Sequence, residues 1–131
     1  MALSPKTITL LVKSSPLSGV QHTLALDYIR AALAQGHAIK RAFFYQDGVY
    51  AGLYQQAPQG QTSVHEQWRL LAQEGEFPLQ CCIANAIRRG VLDVQEATRY
   101  QCTETLGSGY ELAGLGELVA AHHDSDRIVT F

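Results

Sequence analysis

Two adjacent cysteines, Cys81 and Cys82, occupy the position in this sequence that best suits a reactive side chain. They end a short apolar run that begins after Pro78, and residues 84–89, which favour helix, follow them and are closed by Gly90. The apolar run is typical of a buried strand of a parallel sheet, so the cysteines would lie where a strand passes into a helix. The first N–H groups of a helix lack partners and carry partial positive charge. They therefore favour a thiolate, which is the reactive form of cysteine.

The same pair also has a purely structural interpretation. Free cysteine is among the most buried residue types and packs like a small hydrophobic residue. The pair is not C-x-x-C, which argues against a thioredoxin-type couple, and no histidine–carboxylate pair near Cys82 in the sequence supports a hydrolase triad. Arg88 and Arg89 would lie about two turns, ~10 Å, further along the helix, too far to be the main stabiliser of a thiolate. Spacing alone leaves a working thiol and a packing residue both open.

Two other segments contain residue types that could bind a metal or a phosphate. The segment His122-His123-Asp124-Ser125-Asp126 invites a metal interpretation, but adjacent histidines at a helix end point in different directions. We interpret it as a solvated helix end. The loop 13–19 joins a strand to a helix, yet it lacks both G-x-G-x-x-G and a P-loop lysine. We therefore predict neither a metal nor a nucleotide or flavin cofactor.

The composition indicates an ordinary globular protein. With 131 residues, 47% hydrophobic and 17% charged, the chain suits one domain over residues 1–131. The net charge of −2 gives no basis for direct nucleic-acid binding. Three cysteines cannot all pair, and with the missing secretory leader they indicate a reducing, cytoplasmic setting. The aliphatic run 8–12 is far too short to span a membrane.

Strand and helix patterns alternate along the chain. Strands are predicted at 7–12, at 38–45, after Pro78, at 110–112 and at 127–131, with helical patterns between them. This alternation predicts an α/β fold with a mostly parallel sheet of about five strands, covered by helices on both faces. In such sheets, sites form outside the carboxyl ends of the strands. Cys82 lies at such an end, which favours a working thiol.

Two capping boxes, Ser63-x-x-Glu66 and Asp93-x-x-Glu96, mark predicted helix starts. Residues 51–62, which precede the first of them, are rich in glutamine and have little periodicity. A loop of this length inside a compact domain is usually functional, interfacial or mobile. We favour an interface, to which three nearby tyrosines at 45, 50 and 54 would contribute, with a plain surface excursion as the alternative.

Three segments resemble the DsrE/TusD sulfurtransferase family. The family's active-cysteine segment is similar to Leu79-Gln-Cys-Cys82-Ile-Ala-Asn-Ala-Ile-Arg88-Arg89-Gly90-Val91. Its aromatic strand-end motif is similar to Phe43-Phe44-Tyr45-Gln46-Asp47-Gly48-Val49-Tyr50. Its C-terminus is similar to Leu112-Ala113-Gly114-Leu115-Gly116 followed by Asp126-Arg127-Ile128-Val129-Thr130-Phe131. The similarity covers essentially the whole chain in the family's order, so it is more specific than any single motif.

The resemblance implies a DsrE-like fold and a persulfide-carrying cysteine, which Cys82 matches. In the tRNA branch of this family, the cysteine accepts sulfane sulfur from an upstream carrier. It passes that sulfur to a downstream carrier for 2-thiouridine synthesis at the wobble position. Persulfide transfer is a thiolate displacement that needs an accessible thiol and no metal or cofactor. Cys81 departs from the family pattern, which usually has an aliphatic residue there. A resolving thiol, an unwanted vicinal disulfide and a spare buried residue are the three alternatives for it.

The resemblance also implies partner proteins. Family members of this kind form a hexamer with TusB-like and TusC-like sister subunits, and they exchange sulfur with TusA-like upstream and TusE-like downstream carriers. The loops 14–19, 51–62 and 103–109 could form a rim on which these partners dock. Two other functions remain open: a non-catalytic scaffold subunit of the same fold, and a DsrE-type subunit of dissimilatory sulfur oxidation.

Overall fold

The computed structural model describes residues 4–56 and 62–131, which form a five-stranded sheet and its covering helices. All strand pairs are parallel, and the strand order is β4-β3-β2-β1-β5. The strands are β1 (Thr7–Val12), β2 (Ala38–Phe44), β3 (Leu79–Cys82), β4 (Tyr110–Ala113) and β5 (Arg127–Thr130). The α-helices are α1 (Gln21–Ala34), α2 (Val64–Gly75), α3 (Ile83–Arg88), α4 (Val94–Arg99) and α5 (Leu115–Asp124). A 3₁₀ helix spans Gln46–Gly52. The predicted α/β fold with a parallel sheet of about five strands is confirmed.

The two faces of the sheet are covered unequally. The strands β1 to β4 step in one direction across the sheet, so right-handed connections place α1, α2 and α3 on one face. The chain then returns from β4 to the opposite edge through α5, which lies on the other face. The main core forms on the first face and includes fully buried side chains of Leu10, Ile29, Phe44 and Trp68. The second face has only a small apolar cluster beneath α5.

Both predicted capping boxes begin helices, because a side-chain oxygen accepts the otherwise unpaired N–H of the third helical residue. Ser63 Oγ accepts from the Glu66 N–H at 3.2 Å and starts α2, and Asp93 Oδ1 accepts from the Glu96 N–H at 2.9 Å and starts α4. Gly90 has a φ of 73° and follows the end of α3, as predicted for a helix-terminating glycine.

The segment after β2 is more ordered than the sequence indicates. Asp47 and Gly48 belong to the 3₁₀ helix, whose Val49 and Ala51 are fully buried in the main core. The predicted loop 51–62 therefore begins only after Gly52, and residues 57–61 of it lie outside the described part of the chain. Burial of two apolar side chains explains the helix, since a short 3₁₀ element derives its stability from packing.

No helix in the described residues combines the length and apolar character that crossing a membrane requires.

An ion pair fixes α5 to the second face of the sheet. Arg41 Nη1 and Nη2 donate to the two carboxylate oxygens of Asp124 at 3.0 and 2.8 Å, and Arg41 Nη1 also donates to Thr9 Oγ1 at 3.1 Å. Thr9 Oγ1 is 2.6 Å from Ser125 Oγ. Asp124 is the last residue of α5, and its side chain is 38% exposed, as expected for a solvated helix end. In addition, its carboxylate pairs with a buried arginine, which the sequence did not indicate.

We expect Asp124→Asn to lower the melting temperature by roughly 5 °C at pH 7, because the variant loses a bidentate charged contact. The hydrogen bond from Arg41 lowers the pKa of the Asp124 carboxyl from 3.8 to about 2. The contribution is therefore complete above pH ~5 and is lost as the pH falls towards 2, so the variant and the wild type should converge in acid. Thermal unfolding followed by circular dichroism across this range tests the effect.

Asp27→Asn, which breaks an exposed pair with Arg30, is the matched control, and its melting temperature should change little. A pH-independent difference would contradict the assignment.

Candidate active site around Cys82

Cys82 lies at the junction that the sequence predicts. It is the last residue of β3 and the N-cap residue of α3, and its side chain does not cap the helix. Its partner in β4 is Ala113, and the preceding Cys81 pairs with Phe44 at the end of β2. Cys82 is therefore flanked by the carboxyl ends of two neighbouring strands, the edge at which parallel sheets place their sites.

The surroundings of Cys82 are apolar and nearly closed. The residue is 2% exposed and belongs to a cluster with Phe43 and Ala113. Leu11, Tyr45 and Leu118 pack against this cluster and are themselves only partly buried. Tyr45 directly follows β2, and Leu118 is on α5. Access to the thiol therefore requires a displacement of the covering side chains.

Cys81 lies on the opposite face of the sheet, since adjacent side chains of a strand alternate between faces. It is fully buried in the main core, where Gly52 approaches so closely that an added Cβ would lie 3.2 Å from its Sγ. Burial strongly raises the pKa of the Cys81 thiol. A protonated thiol behind the sheet is a poor nucleophile. Of the three alternatives for Cys81, a spare buried residue fits this position.

Cys102 has an environment unlike those of the other two thiols. It is exposed in the connection between α4 and β4, and its Sγ lies 3.4 Å from the Tyr100 carbonyl oxygen. The three free cysteines thus occupy an exposed loop, a closed strand end and the main core.

The chain after β2 is tied to α3 on the carboxyl side of Cys82. The Gln46 N–H donates to Asn85 Oδ1 at 2.7 Å, and Arg89 Nε donates to Asp47 Oδ1 at 2.9 Å. A further bond runs from Arg89 Nη1 to the Asn85 carbonyl oxygen at 3.1 Å. The sequence indicates only that Arg89 lies about two helical turns beyond Cys82, and it indicates no role for Asn85. Both partners lie far away in sequence, so no local pattern indicates these contacts.

Among residues 4–56 and 62–131, no group of three or more His, Cys, Asp or Glu side chains is arranged to hold a metal ion. The histidines at the end of α5 adjoin Asp124, whose carboxylate binds Arg41. The chemistry available at the strand end is that of the Cys82 thiol. Fold and site together define an α/β protein with a covered thiol at the carboxyl end of an internal parallel strand.

Comparison with known proteins identifies the family. The model of the DsrE/DsrF-like family matches residues 6–131, so the chain belongs to this family. The sulfurtransferase TusD homolog of Aliivibrio fischeri is 39% identical over 124 residues, which cover 92% of this chain and 95% of that protein. The homolog of Pseudomonas aeruginosa is 44% identical over 109 residues, covering 82% and 83%. Sulfurtransferase TusD of Photorhabdus laumondii is 34% identical over 131 residues, covering 98% and 100%.

A solved structure shares the fold. The crystal structure of the YchN protein from E. coli superposes with a TM-score of 0.78 and covers 96% of this chain and 99% of its own, at 22% identity. The family resemblance expected from the three sequence segments is thereby confirmed, and so is the fold that it implied.

Proposed function

We propose that this protein is a sulfurtransferase of a sulfur relay in which Cys82 carries the transferable sulfur as a persulfide. The observation that carries the proposal is the similarity, over nearly the full chain, to proteins named sulfurtransferase TusD. The position of Cys82 supports it, because a thiol at a strand end near the start of a helix suits nucleophilic chemistry.

The transfer consists of two balanced displacements. The Cys82 thiolate attacks the terminal sulfur of a donor persulfide, the donor S–S bond breaks, and the donor leaves as a thiolate. An acceptor thiolate then attacks the terminal sulfur on Cys82, and the Cys82 thiolate is released. No net oxidant or reductant is consumed. The apolar neighbours Phe43, Ala113 and Leu118 would keep water and stray thiols away from the persulfide.

The proposed relay serves 2-thiolation of the tRNA wobble uridine in the cytoplasm. The donor would be a TusA-like carrier and the acceptor a TusE-like carrier, with no direct contact to nucleic acid, for which the net charge of −2 offers little attraction. A DsrE-type role in sulfur oxidation uses the same chemistry with other partners. A scaffold role without catalysis is favoured by one observation, the 2% exposure of Cys82.

Loading the protein with sulfur from a cysteine desulfurase and a TusA-like carrier tests the proposal against the scaffold alternative. We expect fragment mass spectra to locate one added sulfur on Cys82 and none on Cys81, which is buried behind the sheet, or on Cys102, which lies outside the strand end where the carriers would dock. Transfer to a TusE-like acceptor should then remove this label. A protein that never gains the added sulfur would be a scaffold.

We also propose that the protein works in a hexamer with TusB-like and TusC-like subunits of the same fold. One helix covers the second face of the sheet, and its Leu115 and Val119 side chains are 51% and 59% exposed. Of the three tyrosines expected at an interface, only Tyr54 is exposed, at 50%, because Tyr45 packs near Cys82 and Tyr50 against the main core.

For the assembly, we expect light scattering on the three co-expressed proteins to give the mass of a hexamer. Val119→Asp should weaken this assembly, because it places a charge in an apolar contact. His123→Asp, a charge change at an exposed residue of the same helix, is the control. A monomer that ignores its candidate sister subunits and still transfers sulfur at full rate would exclude the shared assembly.

A further inference from the structure

Gln46 has an unusual backbone conformation beside the candidate active site. Three non-glycine residues among those described have positive φ: Gln46 at 53°, Glu76 at 55° and Gln101 at 56°. Glu76 caps the end of α2, and Gln101 follows the end of α4, where a left-handed residue is common. Gln46 is instead the first residue of the 3₁₀ helix, directly after Tyr45, which follows β2. Strain of this kind persists only where the surroundings hold it in place, and it is frequent at functional sites.

Asn85 and Arg89 supply the contacts that hold this conformation. The side-chain oxygen of Asn85 accepts the Gln46 N–H at 2.7 Å, and Arg89 holds the next residue through the 2.9 Å bond to Asp47. Both holders belong to the segment that starts at Cys82, since Asn85 lies in the first turn of α3 and Arg89 caps its end. The backbone before Gln46 is fixed as well, because the Tyr45 N–H donates to the Val12 carbonyl oxygen at 2.9 Å.

These hydrogen bonds fix the backbone on both sides of Tyr45, whose side chain packs against the cluster that contains Cys82. Tyr45 packs on the Cys82 cluster and is only partly buried, so a small rearrangement at Gln46 would uncover the thiol. We propose that Asn85 is a positioning residue that, with Arg89, holds Tyr45 over Cys82 and thereby protects the thiol from small thiols and other small electrophilic or nucleophilic reagents. A docked protein carrier would supply the binding energy that displaces Tyr45. This specificity role rests on the proposed relay function.

The three thiols of the chain provide an internally controlled test that needs no sulfur transfer. The full-length protein is treated with iodoacetamide, and the alkylation rate of each cysteine is measured by mass spectrometry. Cys102 is exposed and serves as the rate reference, whereas the fully buried Cys81 reports general loosening of the core. Asn85→Leu removes the acceptor for the Gln46 N–H, and Asn85→Asp keeps an acceptor oxygen in the same place.

We expect Asn85→Leu to raise the ratio of the Cys82 alkylation rate to the Cys102 alkylation rate about fivefold. Alkylation occurs from a locally open state, and the loss of one hydrogen bond shifts the opening equilibrium by about this factor. Asn85→Asp should retain a ratio close to the wild-type value, and Cys81 should stay unlabelled in both variants. An unchanged ratio in Asn85→Leu would overturn the proposal. A parallel rise of Cys81 labelling would also overturn it, because Asn85 would then contribute to general stability. The same holds if the ratio of Cys82 to Cys102 alkylation rises equally in Asn85→Asp.

A second measurement connects the positioning role to sulfur transfer. On persulfide-loaded protein, Asn85→Leu should lose its sulfur to dithiothreitol faster than the wild type while still accepting sulfur from the TusA-like carrier. Equal loss in both proteins would contradict the protective role. A wild-type protein that cannot be loaded would refute the relay function and leave the alkylation result standing, so the two failures are distinguishable.

Discussion

Replacing Cys82 by serine is expected to abolish persulfide loading and to reduce carrier-to-carrier sulfur transfer to the uncatalysed level. The hydroxyl is nearly isosteric with the thiol, but it neither forms a persulfide nor ionises near neutral pH. The fold should survive, because the residue lies in a small cluster at a strand end and not in the main core. The measurement is transfer of radiolabelled sulfur from desulfurase to acceptor, together with mass spectrometry of the loaded variant.

Two matched variants show whether the loss of sulfur transfer is specific to Cys82 or follows the removal of any of the three cysteines. Cys102→Ser changes an exposed loop residue and should transfer sulfur at the wild-type rate. At Cys81, alanine is the better replacement, because a serine hydroxyl would be buried in an apolar core. Cys81→Ala should retain transfer with a modest loss of stability from the small cavity. Sulfur that still loads onto Cys82→Ser would show that another thiol carries it.

The β3–α3 junction was predictable because its signals are local. A proline, an apolar run, helix-forming residues and a terminating glycine follow one another within a short stretch, and the strand and helix begin and end within a residue or two of the prediction. The capping boxes are local in the same way. The order of β1 to β4 fits the tendency of consecutive strands to be neighbours, whereas β5 lies beside β1 instead of β4.

Contacts between distant segments could not be predicted from one sequence. The bond between Arg41 and Asp124 depends on the return of the chain through α5, past the three strands that separate β4 from β5, which no periodicity indicates. His22 is another example: it is buried, its Nε2 lies 2.7 Å from the Ser14 carbonyl oxygen, and its Nδ1 accepts the Trp68 indole N–H at 3.0 Å. Burial lowers the pKa of His22, in keeping with a neutral ring that holds the loop after β1 to the core. In the sequence this histidine lies between two polar residues, Gln21 and Thr23, and nothing there indicates that it is buried.

The closed state of Cys82 has the same origin. Its position at a strand end is local information, but its cover comes from Tyr45, which directly follows the neighbouring strand β2, and from Leu118 on the last helix. The sequence therefore indicates Cys82 as the candidate thiol, and the fold determines how that thiol is reached. In the proposed relay, in which Cys82 holds a persulfide between two transfers, the second property would control how long the sulfur survives.

Gly48→Ala is expected to destabilise the protein by about 3 kcal/mol and to open the Cys82 site, because the Cβ has no room. An ideal Cβ at this position would lie 2.1 Å from the Val12 carbonyl oxygen and 2.9 Å from its carbon, both backbone atoms of β1. The same oxygen accepts the Tyr45 N–H, so relief of the clash would separate β1 from the chain that covers Cys82.

Gly116→Ala is the matched control: no atom lies within 4 Å of its Cβ, and in α5 alanine should stabilise by roughly 0.5–1 kcal/mol. Urea unfolding followed by the fluorescence of Trp68, the single tryptophan, measures both free energies of unfolding. Equal stability of the two variants would show that the end of β1 yields to the added methyl group, and that Tyr45 is not held by this contact.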